Sequence, residues 1–491
     1  MSAEATASTS SSEATLRFTL VLLAAMMSII GSLGAPLITT VAQSNHISLS
    51  TAEWILTATL LTGALATPVM GRLADGHLQR RVVLVALATV VVGLVMAALS
   101  RDFLWLLVGR CLQGLGMGLL PVTMTIARSH LSPAVAARTI ATLSVTAAIG
   151  VGLGYPLTSV VAQYFDYHAA FWLAAGLIGA TWALSWRVLP PTDTRDHREF
   201  DGVGALILTL ALVALLSVLG EGQVWGWASS RSLSLGLTGM VLLGVWCLYE
   251  LRRRDPLVNL RQSTHRAVIT SDATGFLISV SMYLFMPVVV EYVQIPTSTG
   301  YGFGASIFTS GLLLVPLSVG TFAASRFVPT LARHFNARIT VPLGALLFAL
   351  AALTFSLEHR ALWEAFVVMG IAGLGAGLTF AAMPGYIVRA TPAADTGAAL
   401  GFYQLLRSVG LSIGSAAAGA VLAHFTLAGH SLPQLAGFLT TMHVAVGLLV
   451  GAAVMSYLLL GETSGALSPA TVEIMEEGAE LGSSGLGLLG E

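Results

Sequence analysis

Long apolar runs separated by short polar interruptions fill the chain from residue 16 to residue 460. Each run matches the roughly 20 residues that cross the hydrocarbon of a bilayer. Charge or turn residues bound the runs, as at Pro190-Pro191 and Asp255-Pro256. Within lipid every backbone N–H and C=O has to be satisfied inside the segment, so such runs are predicted to be helices. A span with a short connection takes roughly 30–35 residues, so the chain accommodates about fourteen spans and little else. The runs divide it into a polar tail over 1–15, a block over 16–189, a shorter stretch over 190–267, a second block over 268–460 and a Gly-, Ser- and Glu-rich tail over 461–491. Both tails are expected to be disordered. The first run, 16–41, is too long for a signal peptide and lacks a basic segment before it, so it reads as a retained span.

Composition agrees. Of 491 residues, 55% are hydrophobic and 10% charged, against about a quarter charged in soluble domains. Too few charges remain to cover a water-facing surface, so the lipid bilayer is the expected solvent. A net charge of −1 points away from nucleic acid. All 23 basic residues are Arg. Without Lys no phosphate loop of the G-x-x-x-x-G-K-[ST] type exists, so no nucleotide is expected to drive the protein. The cysteines, Cys111 and Cys247, lie in apolar runs and read as small buried side chains rather than a disulfide or metal ligands. No cofactor, metal or enzymatic activity is expected.

The arginines give a direction. With the N-terminus inside, eighteen fall in inner loops or span ends, while the outer loops hold only Arg101, Arg231 and Arg360; Arg110 and Arg407 lie within spans. The positive-inside rule then places both termini in the cytoplasm and favours an even number of spans. The chain also repeats. Gly114-Leu115-Gly116-Met117-Gly118-Leu119 recurs 259 residues later as Gly373-Leu374-Gly375-Ala376-Gly377-Leu378, each followed at the same spacing by Pro133 or Pro392. Leu73-Ala74 recurs 258 residues later as Leu331-Ala332. Spans 1–6 therefore match spans 9–14, leaving two inserted between six-helix halves, and repeated halves are how secondary transporters build a site at their interface. The Gly-x-x-x-Gly pairs Gly114/Gly118 and Gly373/Gly377 suit close helix packing.

The loop after span 2 reads Gly71-Arg72-Leu73-Ala74-Asp75-Gly76-His77-Leu78-Gln79-Arg80-Arg81. It resembles the signature loop of the major facilitator superfamily, with Leu78 where a second Gly is usual. In span 4, Arg110-Cys111-Leu112-Gln113-Gly114 is similar to the R-x-x-Q-G motif of drug–proton antiporters. Phe200-Asp201-Gly202, Gly220-Glu221-Gly222 and Arg252-Arg253-Arg254-Asp255-Pro256-Leu257-Val258-Asn259-Leu260 resemble the inserted region of the fourteen-span branch of those antiporters. The resemblance covers roughly residues 16–460. It implies an all-α integral membrane protein of the major facilitator fold, two six-helix bundles plus two central helices. It also implies a gating role for Gly71, Asp75, Arg80 and Arg81. Two positions depart from the branch: Met27 stands where span 1 usually carries Asp, and Gly154-Tyr155-Pro156-Leu157 keeps only part of the span 5 motif.

Candidate coupling residues follow from charge within spans. Arg110 lies about 10 Å into span 4, where a cation costs on the order of 3 kcal/mol and asks for a partner or a wet cavity. Arg407 lies near the middle of span 13. Span 9 carries Asp272 and Glu291, about 28 Å apart along the helix and so never one site. Desolvation favours the neutral carboxyl and a nearby guanidinium the ionised one, the balance a proton carrier needs. Glu291, at a depth comparable to Arg110, is the leading carrier and Asp272 the second; an interfacial acid and a helix-start residue are the plainer readings of the two. Gln113, Tyr155 and Gln294 are candidate linings of the substrate cavity. The expectation is a monomeric, proton-coupled exporter of small amphipathic organic compounds in the cell membrane. Symport import, dedicated metabolite export and lipid translocation or a scaffold role stay open.

Overall fold

The computed structural model describes residues 2–33, 37, 41, 44–47, 52, 54–74, 78–165, 167–191, 201–253, 256–258, 260–261, 266–334, 336–392, 395–426 and 432–460. Among them every regular element is helical. The N-terminal half comprises α1 (Ser2–Ser32), α2 (Trp54–Ala74), α3 (Gln79–Ala98), α4 (Phe103–Gly114), α5 (Leu119–His130), α6 (Pro133–Tyr164) and α7 (Tyr167–Val188). A 3₁₀ turn, Leu115–Gly118, joins α4 to α5, so both belong to one span. The inserted pair is α8 (Gly202–Trp225) and α9 (Ser230–Arg252). The C-terminal half comprises α10 (Arg266–Gln294), α11 (Ile307–Leu312), α12 (Leu314–His334), α13 (Asn336–Leu357), α14 (Leu362–Ala390), α15 (Thr396–His424) and α16 (Leu435–Leu460). Among the described residues, thirteen stretches are long and apolar enough to cross a membrane. Helix α6, 32 residues long, covers the apolar run over 138–163 and is not among those thirteen.

Helix boundaries have local causes. Asp102 accepts the Trp105 amide at 2.9 Å and starts α4, satisfying an orphan donor of the first turn. Pro133 opens α6, where its missing N–H costs nothing. The tail 1–15 differs from expectation: residues from Ser2 onward continue α1. Its Ala and Glu residues are good helix formers, and extending an existing helix needs no new nucleus. The tail 461–491 lies outside the described residues.

The sequence repeat is a packing repeat. A Cβ at Gly114 would strike the Thr59 carbonyl, and one at Gly373 would strike the Leu317 carbonyl. Those partners are separated by 258 residues, as the glycines are by 259. Each half thus crosses its second and fourth spans backbone to backbone at the equivalent glycine. Thr59 Oγ1 donates to the Arg110 carbonyl at 3.2 Å, and Thr321 Oγ1 to the Gly373 carbonyl at 3.2 Å.

The two halves meet along a seam where α2 and α5 pack on α15, and α6 packs on α12 and α14. The inserted pair lies over one edge of that seam. Ala205, Leu208, Leu212, Leu216 and Trp246 form a cluster with Ala64 of α2 and Leu405 of α15. Asp201 ties the pair together: it accepts from the Gly204 amide at 3.0 Å and the Tyr249 hydroxyl at 3.2 Å, and Arg253 Nε lies 3.5 Å away.

Candidate functional site

At the arginine-rich end the seam is closed. A Cβ on Gly71 would lie 2.5 Å from the Gly397 carbonyl oxygen and 3.4 Å from the Gly401 Cα, so α2 and α15 touch through their backbones. Arg72 Nη1 approaches Asp395 Oδ1 at 3.5 Å across the same seam, with both side chains largely buried. Arg128 of α5 donates to the Thr396 hydroxyl and, at 3.4 Å, to the Thr391 carbonyl. Of the residues expected to gate, Gly71 therefore meets the opposite half directly. Arg80 instead donates to the Trp186 carbonyl at 2.6 Å within its own half, and Arg81 is exposed. Asp75 lies outside the described residues. Arg72 and Arg128 were not among the expected gating residues; Arg72 lies within the signature loop itself and Arg128 in the last turn of span 4, at the same arginine-rich end.

Arg110 is fully buried inside the N-terminal half. Its Nε donates to the Ile55 carbonyl at 2.8 Å and its Nη1 to Gln113 Oε1 at 2.7 Å. Gln113 passes the link on, donating to the Gly93 carbonyl at 3.1 Å. Partial negative charge on carbonyl oxygens thus takes the place of a carboxylate. Both residues stitch α2, α3 and α4 together, and Gln113 is enclosed there with no exposed surface. Met27, where the branch carries an acid, is buried with its sulfur beside Gly116.

A different group of residues sits where the halves meet. Leu120, Pro121 and Met124 of α5 face Pro384 of α14 and Leu400, Tyr403, Gln404 and Arg407 of α15 around a cavity of only about 10 Å³, room for one water at most. The Arg407 guanidinium stacks 3.9 Å above the Phe380 ring and lies 5.7 Å from the Tyr403 ring. Its Nη1 donates to Gln404 at 3.1 Å, while Nε has no hydrogen bond among the described residues. Tyr403 also lies against α10: a Cβ on Gly275 would meet its ring at 2.5 Å. Asp272 is one helical turn from Gly275, on the same face, and within electrostatic reach of the Tyr403 phenol. Asp272 is 6% exposed, and its Oδ1 has no hydrogen bond among the described residues. Asp272, Tyr403 and Arg407 therefore form a line across α15 from its α10 side to the closed centre. Tyr403 was missed in the sequence, although its place four residues before Arg407 puts both on one helix face.

The remaining candidates lie elsewhere. Glu291 and Gln294 are exposed at the arginine-poor end of α10. Glu291 neighbours Tyr301 in the following loop, whose phenol is pushed up by burial and, less, by that carboxylate. Arg110 and Glu291 are not brought together, because Arg110 is enclosed by α2, α3 and α4. Tyr155 belongs to α6, and its side chain lies outside the described residues. No group of three or more His, Cys, Asp or Glu side chains that could hold a metal occurs among the described residues.

Repeated helical halves that meet along a seam, with buried charge on both sides of it, define a polytopic membrane transport protein. The profile of the Major Facilitator Superfamily matches residues 20–252 and 273–477, and the chain belongs to that superfamily. It is similar to Multidrug resistance protein Stp of Mycobacterium tuberculosis, 26% identical over 378 residues that span 76% of this chain and 68% of that protein. It is also similar to the Putative multidrug resistance protein MdtD of Escherichia coli, 27% identical over 383 residues, 76% of this chain and 78% of that one. The solved structure of the human organic anion transporter MFSD10 (TETRAN) superposes with a TM-score of 0.64 over 90% of this chain and 99% of that one at 15% identity, a likeness of fold.

Proposed function

We propose that this protein is a proton-coupled exporter of small amphipathic organic compounds, working as a monomer in the cell membrane by rocking two six-helix halves about the seam. The halves are 16–189 and 268–460, and both termini face the cytoplasm, so the closed arginine-rich end is the inner gate. The observation that carries the reading is Asp272: a carboxyl taken out of water, without an ion partner among the described residues, within electrostatic reach of Tyr403, whose ring lies 5.7 Å from the Arg407 guanidinium. A buried acid in a membrane span is costly and is a site of proton or substrate handling by default. The names of the similar proteins, multidrug resistance proteins in two bacteria, support organic compounds as cargo.

In this mechanism a proton enters or leaves Asp272 as the seam opens to one side, and Tyr403 conveys the change of charge to Arg407 and the central cavity. The energy suffices: one charge gains about 2.3 kcal/mol per 100 mV and one pH unit adds about 1.4 kcal/mol. Together they support a gradient of roughly several hundredfold. The test is ethidium transport into inverted membrane vesicles energised by a proton gradient. Accumulation that collapses with the gradient and is lost in Asp272→Asn is expected. Accumulation indifferent to the gradient refutes proton coupling, and no accumulation of any amphipathic dye refutes export.

A further inference from the structure

Between α10 and α15, on the outside of the bundle, lies a groove of about 500 Å³ lined by Ile269, Asp272, Ala273, Phe276, Leu277, Phe402 and Leu406. We propose that this groove is a second, membrane-facing binding site that admits amphipathic monocations sideways from the lipid and seats them on the Asp272 carboxylate. The inference deepens the exporter reading and rests on it for the direction of use, though not for binding.

Three observations point to such a ligand. The first is size: the volume falls within the range of sites for small organic molecules, about 300–1,000 Å³, whereas the central cavity holds only about 10 Å³. In this conformation the groove has room for a molecule and the small cavity beside Tyr403 does not. The second is chemistry. Asp272 is the one charged side chain in a lining otherwise made of aliphatic groups and the rings of Phe276 and Phe402. Its carboxyl lacks a hydrogen-bonding partner on Oδ1. A carboxylate in apolar surroundings is complementary to a cation whose remaining surface is apolar, and aromatic faces add to the attraction. An anion is repelled, and a neutral amphiphile gains nothing from the acid. The third is access. Ile269, at the mouth, is 50% exposed, and Asp272 lies six residues into α10, roughly 9 Å along the helix from Arg266. The opening therefore faces acyl chains close to the arginine-rich surface, where amphipathic cations partition with their charge near the headgroups.

The inserted pair completes the site. Trp246 of α9 stacks behind Phe402, with ring centroids 6.3 Å apart, so the second wall is braced by a helix outside both repeats. On the inner side, Tyr403 abuts α10 beside Asp272 and also lines the central cavity. Tyr403 therefore lies between the lateral site and the seam, and its movement would hand the cation across.

Binding of radiolabelled tetraphenylphosphonium to the full-length protein in lipid nanodiscs tests this without any proton gradient. Asp272→Asn removes the charge, and Ile269→Trp narrows the exposed mouth while leaving Asp272 in place. Both are expected to weaken binding at least about tenfold, some 1.4 kcal/mol, with melting temperature and elution profile unchanged; Asp272→Glu is expected to restore most of the affinity. Binding within twofold of the native protein in both variants overturns the inference. So does loss in Asp272→Asn with native affinity in Ile269→Trp, because the carboxyl would then act from elsewhere. Vesicle transport of a neutral dye separates the two readings: native export of that dye with no binding of the phosphonium leaves the exporter standing and the groove refuted.

Discussion

Adding one methyl group at Gly71 tests the inner gate. In the closed seam an alanine Cβ there would lie 2.5 Å from the Gly397 oxygen and 3.2 Å from its carbonyl carbon. These are backbone atoms within α15, so no side-chain rotation relieves the overlap and the helices must separate. Overpacking of this kind costs about 1–3 kcal/mol, and the loss of a close Cα–H···O contact adds about 0.5–1 kcal/mol. The cost falls only on conformations in which α2 and α15 touch at this end. Gly71→Ala should therefore shift the balance between gate-closed and gate-open states by a factor of about 10–700. Spin labels at the arginine-rich ends of the two helices, read as a distance distribution in nanodiscs, report the balance directly. The expected result is a larger open population, with slower dye export in energised vesicles. An unchanged distribution together with a transport rate within twofold of native would refute a gate built on this contact. Destabilisation without any shift of the distribution would make the contact a general packing element.

Asp395→Asn removes the carboxylate opposite Arg72, and unmatching a largely buried pair costs about 3–5 kcal/mol; the same spin-label pair should again report opening, and no change there excludes the pair from the gate. Arg110→Gln loses charge-assisted bonds to Ile55 and Gln113, about 1.5–3 kcal/mol each, so a fall in melting temperature is expected; lost proton coupling at native stability would instead give Arg110 the tuning role that the family resemblance implies. Glu291→Gln, at an exposed position, should leave gradient-dependent export within about twofold, whereas Asp272→Asn abolishes it; the opposite ranking returns the proton to Glu291. A Cβ on Gly109 would meet the Gly93 oxygen at 2.6 Å, so Gly109→Ala should lower the melting temperature by spreading α3 from α4, at a cost of about 1–3 kcal/mol; a native melt would refute the tight crossing.

Most of the architecture was legible because lipid leaves few options. A run apolar on every side has to be a helix, and the arginine-rich and arginine-poor interruptions alternate as the runs do. The repeat was legible for a physical reason too: Gly114 and Gly373 recur because each has to admit a neighbouring backbone. The site was harder to read. Depth along span 9 was available from the sequence, and it ranked Glu291 ahead of Asp272. What separates them is the side of the helix each occupies and what covers it. Asp272 is roofed by α15 because Gly275, one turn away, lets the Tyr403 ring lie against the helix, a contact between residues 128 positions apart that no local spacing encodes. Arg110 and Gln113 misled in the opposite way. Their types suggested a wet, reactive place, but Arg110 Nε and Gln113 donate to the Ile55 and Gly93 carbonyls within one half, leaving Arg110 Nη2 without a hydrogen bond among the described residues.

Helices α8 and α9 rest on α2 of one half and α15 of the other, across the line along which rocking halves would slide. In water, parting the apolar faces around Trp246, Leu208 and Leu405 would be opposed by the hydrophobic effect on every cycle. In a bilayer the opposition largely vanishes, since acyl chains contact those side chains about as favourably as a helix does. The inserted pair therefore works as a lubricated seal. On the proposed rocking cycle it would cover that edge of the seam while adding little to the barrier for motion. Its friction should depend on the fluidity of the surrounding lipid more than on the protein's own stability.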